Sequence, residues 1–183
     1  MSNRYQAYRR KRNFRRQRDS VGRDHHNGGR FVIQKQDANG LRYDLHLEIG
    51  SVLVSWVVPK GLSADPRDKR IAVQTEDHPV DFIDFDSIQE SEQGGTMPVW
   101  DSGRYEVMRG GRRDMRHSAE NAFQDGLMEV WLDGRRVKGG YAIKRIDRGK
   151  KRSWLIIKMN DEYVDTTQRS SLQSPEPLNK DPT

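Results

Sequence analysis

Arg42, Asp44, His46 and Glu48 occupy every second position of the segment RYDLHLEI. In a β-strand that spacing puts all four on one face, with Tyr43, Leu45, Leu47 and Ile49 on the other. Gln34 and Gln36 share a parity in RFVIQKQ, and Arg70, Gln74, Glu76 and His78 share one around residues 70–78. If these strands are neighbours, one face gathers two histidines, two arginines and several carboxylates. The chemistry such a mixture favours is anion binding. Arginine forks match phosphate oxygens, histidine can donate to them, and Lys60 at a strand end adds charge at the rim. A metal centre fits less well. Asp44, Glu48 and His46 could supply one hard ligand set, but Arg42 would set a permanent positive charge beside the ion. The sequence has no HExxH, no phosphate-cradling glycine loop of the Walker type and no metal-spaced histidine pair, and Asp24-His25-His26 reads as a chance triplet. Parity alone is equally what an ordinary solvated strand face would show.

The elements that would position these residues are short and numerous. Period-two patterning predicts strands at 30–36, 42–49, 52–58, 70–76, 97–100, 103–108, 127–132, 136–145 and 153–158. One short helix is expected at 118–124, capped by Ser118 and stopped by Gly126. Many short strands joined by glycine-rich turns imply a mainly β fold, a single antiparallel β-barrel with a polar groove. The expected organisation is a basic arm and linker at 1–29, the barrel at 30–162, and a polar tail at 163–183, disordered by composition like the arm.

Composition narrows the classes further. The chain has 183 residues, no cysteine and a formal net charge of +6. A disulfide framework and thiolate metal sites are thereby excluded. No apolar run reaches the roughly 18–20 residues of a membrane helix, and no apolar segment marks a secretory signal, so a cytoplasmic protein without membrane contact is expected. Residues 9–18 read RRKRNFRRQR, seven basic side chains and no acid. Most of the net charge therefore belongs to an arm, a device that attracts phosphate backbones of DNA or RNA in a salt-sensitive, sequence-independent way.

Six ordered segments carry a resemblance. QKQDANGLRYDLHLE (34–48), SWVVPKG (55–61), DKRIAVQTEDHPVDF (68–82), TMPVWDSGRYE (96–106), GLMEVWLDGRRVKGGYAIKRI (126–146) and SWLIIK (153–158) resemble, in order, the 3′-phosphoesterase domain of bacterial DNA ligase D. The arm YRRKRNF (8–14) resembles the segment leading into that domain. The resemblance implies a β-barrel with a polar crescent groove that trims 3′ ribonucleotides and 3′ phosphates from DNA ends, with manganese, during end joining.

The pattern carries over only in part. Members similar to this chain have QKHDA followed by LHYDLRLE, whose two histidines and aspartate bind the metal. Here those positions are Gln36, Arg42 and Asp44. The arginine two residues after the aspartate is His46. His78 and Arg70 match, the latter the family's phosphate-contacting arginine, while the tyrosine four residues after the histidine is Phe82. In the arm Arg12 matches, its acidic neighbour is Asn13, and a later glutamate falls at Asp19. The glycine-rich turn is reduced to IQESEQGG (88–95). An amide is a weak ligand for a divalent ion and an arginine is none at all. No cofactor is therefore expected, and manganese only if activity survives.

Three readings follow. The first is a non-catalytic module that binds nucleic-acid ends or backbone through Arg12, Arg42, His46, Lys60, Arg70 and His78. The second is a rearranged phosphoesterase using Asp44, His46, Arg70 and His78, with His78 moving the proton. The third is a structural or protein-interaction subunit. Because no ligase or polymerase segment is present, a part in end joining would engage separate proteins.

Overall fold

The computed structural model describes residues 27–37, 40–84, 98–148 and 151–167. The chain opens with a meander of β1 (Gly28–Gln36), β2 (Arg42–Ile49) and β3 (Val52–Val58). β4 (Lys69–Gln74), a two-residue β5 (His78–Pro79) and a 3-10 turn over Val80–Asp84 follow. The second half holds β6 (Val99–Arg109), β7 (Arg112–Arg113), helix α1 (Ala119–Asp125), β8 (Leu127–Asp133), β9 (Lys138–Arg148) and β10 (Lys151–Lys158). Hydrogen-bonded neighbours run β1–β2–β3–β4–β10–β9–β8–β6, and β6 returns to β1, so eight antiparallel strands close into the expected barrel. Among the described residues, closure leaves no long sheet edge open to pairing with another chain.

The interior is built from one parity of each strand. Phe31 and Ile33, Tyr43, Leu45 and Leu47, and Val54, Trp56 and Val58 are almost fully buried. Burying each such side chain contributes about 1.5–3 kcal/mol relative to exposure. Trp56 and Trp154 meet edge to face at 5.7 Å, and Phe123 from α1 stacks on Trp154 at 5.4 Å. The helix thus adds an aromatic ring to the core. It forms as the sequence predicts: Ser118 accepts the N–H of Asn121, and Gly126 closes the last turn. No described helix is long and apolar enough to cross a membrane.

Two charged residues within the recognisable segments act as structural locks. Asp101, 3% exposed, accepts the backbone N–H groups of Arg135, Arg136 and Val137 at 2.7–3.0 Å and so fixes the β8–β9 turn. Lys158 is buried and donates to Asp161 and to the carbonyls of Gly140 and Met159. Past it the described chain runs on to residue 167, and the N–H of Asp165 reaches the carbonyl of Ala64.

The strands expected separately at 97–100 and 103–108 are a single strand, β6. Asp101 and Ser102, left out of both expected strands, pair with Ile33 and Val32 of β1, and the strand runs on through Gly103. Gly103 pairs with Phe31, and a Cβ there would sit 2.0 Å from the carbonyl oxygen of Asp133 and 3.0 Å from the Phe31 ring. This glycine marks a close approach of neighbouring backbones inside a continuous strand. Gly103→Ala is expected to destabilise the fold by about 2 kcal/mol through overpacking, measured as a lower urea midpoint with an unchanged denaturant slope. An unchanged midpoint would contradict this placement.

Candidate functional site

Strand register decides which polar residues share a surface. β1 and β2 place Gln36 opposite Arg42 and Gln34 opposite Asp44; β2 and β3 place His46 opposite Ser55. β5 sets His78 opposite Leu53 on the same face of β3. One outward face therefore carries Gln34, Gln36, Arg42, Asp44, His46, Ser55 and His78, as strand parity anticipates for β1 and β2.

Arg70 and Gln74 do not join it. β4 pairs Arg70 with Ile156, Ala72 with Trp154 and Gln74 with Trp56, all core residues. Their side of β4 faces the interior, and Gln74 accepts the indole N–H of Trp154 at 3.2 Å. The physical reason is phase. The β2–β3 register matches even positions with odd ones, whereas β3–β4 matches even with even, so common parity of numbering does not mean a common face. Arg70 lies at the strand end, held to Asp68 at 3.2 Å, with its buried Nε–H lacking any acceptor among the described residues. Lys60 is exposed in the turn after β3, and Glu76 is exposed beyond β4. Phe82 falls on the 3-10 turn. Arg12, Asn13, Asp19, the triplet at 24–26, the segment 88–95 and residues 168–183 lie outside the described residues.

The charged centre of the face is a paired one. Arg42 donates from Nε to one carboxylate oxygen of Asp44 at 2.7 Å and from a terminal nitrogen to the other at 2.8 Å. This is the fork geometry that makes arginine–carboxylate pairs strong. The Arg42 side chain is 39% exposed and that of Asp44 13%. Gln36, beside Arg42, is 6% exposed.

Next to the pair lies a buried hydrogen-bonded chain. The imidazole of His46 meets Gln34 Oε1 through Nε2 at 2.8 Å and Ser55 Oγ through Nδ1 at 2.7 Å. Ser55 Oγ also meets His78 Nδ1 at 3.3 Å, and the two rings stand edge to face at 6.1 Å. With the Gln34 amide oxygen toward Nε2, that nitrogen carries the proton and Nδ1 accepts the serine hydroxyl. Ser55 then accepts from His78. Burial pushes the His46 pKa down to about 4, against a smaller opposing pull from Asp44. His46 is thus a neutral link in a chain rather than a cation at neutral pH. Ser55 escaped the sequence reading, although it is the lone polar residue of the strand VLVSWVV.

The donor set does not suit a divalent cation. Both oxygens of Asp44 are engaged by a guanidinium, Gln36 offers at most an amide oxygen, and Arg42 repels any ion placed beside it. Among the described residues no three His, Cys, Asp or Glu side chains converge in a metal-holding group.

Comparison with known sequences gives a consistent picture. The family model for the DNA ligase D 3′-phosphoesterase domain matches residues 34–145. The multifunctional non-homologous end joining protein LigD of Pseudomonas aeruginosa is 37% identical over 161 residues, 84% of this chain. Its counterpart in Mycolicibacterium smegmatis is 39% identical over 138 residues, 74% of this chain. The end joining DNA repair protein LigD of Mycobacterium tuberculosis is 35% identical over 137 residues. The chain spans 18%, 18% and 16% of the lengths of these three relatives.

The buried neutral histidine makes the fold sensitive to acid. Above the unfolded pKa of 6.5 both states hold His46 neutral. As the pH falls from there toward about 4, the unfolded chain takes up a proton that the folded chain refuses. Stability should fall by about 3 kcal/mol more across that window than in His46→Gln, measured by urea denaturation at each pH. Parallel pH profiles for the two proteins would show that His46 titrates normally.

Proposed function

Since the chain belongs to the DNA ligase D 3′-phosphoesterase domain family, we propose that it is a non-catalytic member that binds phosphate-bearing ends of nucleic acid. The observation that carries this reading is the Arg42–Asp44 fork, standing where relatives with the family pattern would hold a metal ion. A guanidinium supplies positive charge in that place without the ability to activate water. A terminal phosphate would meet Arg42 on the face that also carries the imidazole of His78, whose ring the Ser55 hydroxyl orients. Arg70 enters from the barrel end, where its buried Nε–H lacks an acceptor among the described residues, the condition that an anion would relieve. Lys60 at the rim and Arg12 in the arm would add screened, longer-range attraction. The natural setting is the repair of DNA ends.

One observation favours slow hydrolysis as a second reading. The chain Gln34–His46–Ser55–His78 could relay a proton to or from a reacting 3′ phosphate at His78. Without a metal the reaction would lack its largest source of charge stabilisation, and rates would stay low.

The test uses a 3′-phosphorylated DNA oligonucleotide with and without manganese. Binding is expected, stronger at low salt and weaker by about tenfold in His78→Ala, with no release of phosphate. A Gln36→His, Arg42→His double variant is expected to gain manganese-dependent cleavage. No affinity at low salt would overturn the binding reading, and brisk phosphate release by the unaltered chain would overturn the non-catalytic one.

A further inference from the structure

The net charge of the barrel hides a local concentration far from the polar face. Gly28 pairs with Glu106 where β1 ends, and from there β7 takes over as the partner of β6, pairing Met108 with Arg113 and Arg109 with Arg112. The connection is Gly110-Gly111, with φ angles of 57° and 76°, the left-handed pair that a two-residue hairpin turn requires. Nothing lies within 4 Å of a Cβ built on either glycine, so the tip stands in open space. The segment RGGRRDMRH (109–117) carries four arginines against one acid, and all four are exposed. Arg113 pairs with Glu106 at 2.7 Å, while the guanidinium groups of Arg109, Arg112 and Arg116 meet no carboxylate among the described residues.

The ribbon is also where the chain enters the barrel. The carbonyl of Asn27 accepts the N–H of Val107 at 2.7 Å, and its side-chain amide donates to the carbonyls of Val107 at 3.0 Å and Asp114.

We propose that the β6–β7 ribbon is a second contact, for the phosphate backbone of duplex nucleic acid, separate from the face that takes the end. This rests on the nucleic-acid reading of the polar face. Three features select this partner. The charges are all guanidinium forks, which match phosphate oxygens. A two-stranded ribbon fits the major groove of a duplex. A membrane-docking tip would carry apolar anchors, whereas this tip is two glycines, and exposed Met115 lies beyond β7. Spacing agrees as well. Six residues separate Gly28 from Gln34 and three more separate Glu106 from Arg109, about 30 Å along the strands. A duplex whose end sits at Asp44 and Gln34 would meet the ribbon about 9 base pairs away.

The experiment is fluorescence anisotropy on the full chain. It uses 3′-phosphorylated duplexes of about 6 and about 14 base pairs, chosen from that rise, across a salt series. The Arg109→Ala, Arg112→Ala, Arg116→Ala variant is expected to bind the long duplex about tenfold more weakly. Its salt slope should be lower by about 2–3, and its affinity for the short duplex unchanged. The matching lysine variant should restore most of the slope, and the melting temperature should be that of the unaltered chain. Equal affinities of the alanine variant and the unaltered chain for the long duplex would overturn the ribbon contact while leaving the end-binding reading intact. Failure of the unaltered chain to bind either duplex would overturn both. Selective loss of binding to phosphatidylserine vesicles, with duplex binding intact, would reassign the ribbon to a membrane surface.

Discussion

The Arg42–Asp44 fork governs what the polar face can be. A carboxylate that would serve as a hard metal ligand is held at both oxygens by a cation two residues away on its own strand. Two residues along a strand bring side chains to the same face, so the pair needs no help from distant loops to form. The pair is half exposed on the arginine side, so its value to stability is modest. Its consequence is electrostatic: a positive charge stands beside the carboxylate and offsets the negative potential that would draw a divalent ion.

The barrel sets the rest of the face by register. Antiparallel pairing lines Gln36 with Arg42, Gln34 with Asp44 and His46 with Ser55, so the site is a row of cross-strand partners on three consecutive strands. Behind them the opposite parity fills the interior with Tyr43, Leu45 and Trp56. A one-residue slip in any of these pairings would move the whole row to the core. His46 is buried and held neutral by that burial, and its Nδ1 meets Ser55, which in turn meets His78. Positive charge on this face therefore comes from Arg42 rather than from His46.

Much of this was legible in the sequence because strand periodicity is a local signal. RYDLHLEI alternates so cleanly that its two faces could be assigned before any neighbour was known, and Ser118 and Gly126 bounded the helix by cap chemistry alone. What was not legible depended on relations between strands. The inward side of β4, which takes Arg70 and Gln74 away from the polar face, follows from pairing register, and no single strand encodes it. The continuity of β6 through residues 101–102 also follows from their pairing with β1, which belongs to another part of the sequence. Ser55 looked incidental until His46 and His78 were seen on either side of it. Likewise, a near-neutral sum over the barrel concealed the arginines of the β6–β7 ribbon, since composition averages what topology concentrates.

The most direct measurement is electron paramagnetic resonance of manganese titrated with an equimolar amount of the full chain. Free aqueous manganese gives a sharp signal that tight coordination broadens away. A guanidinium-locked aspartate predicts a signal that persists undiminished, and one that collapses in the Gln36→His, Arg42→His variant. Collapse of the signal with the unaltered chain, abolished by Asp44→Asn, would contradict the claim at its root.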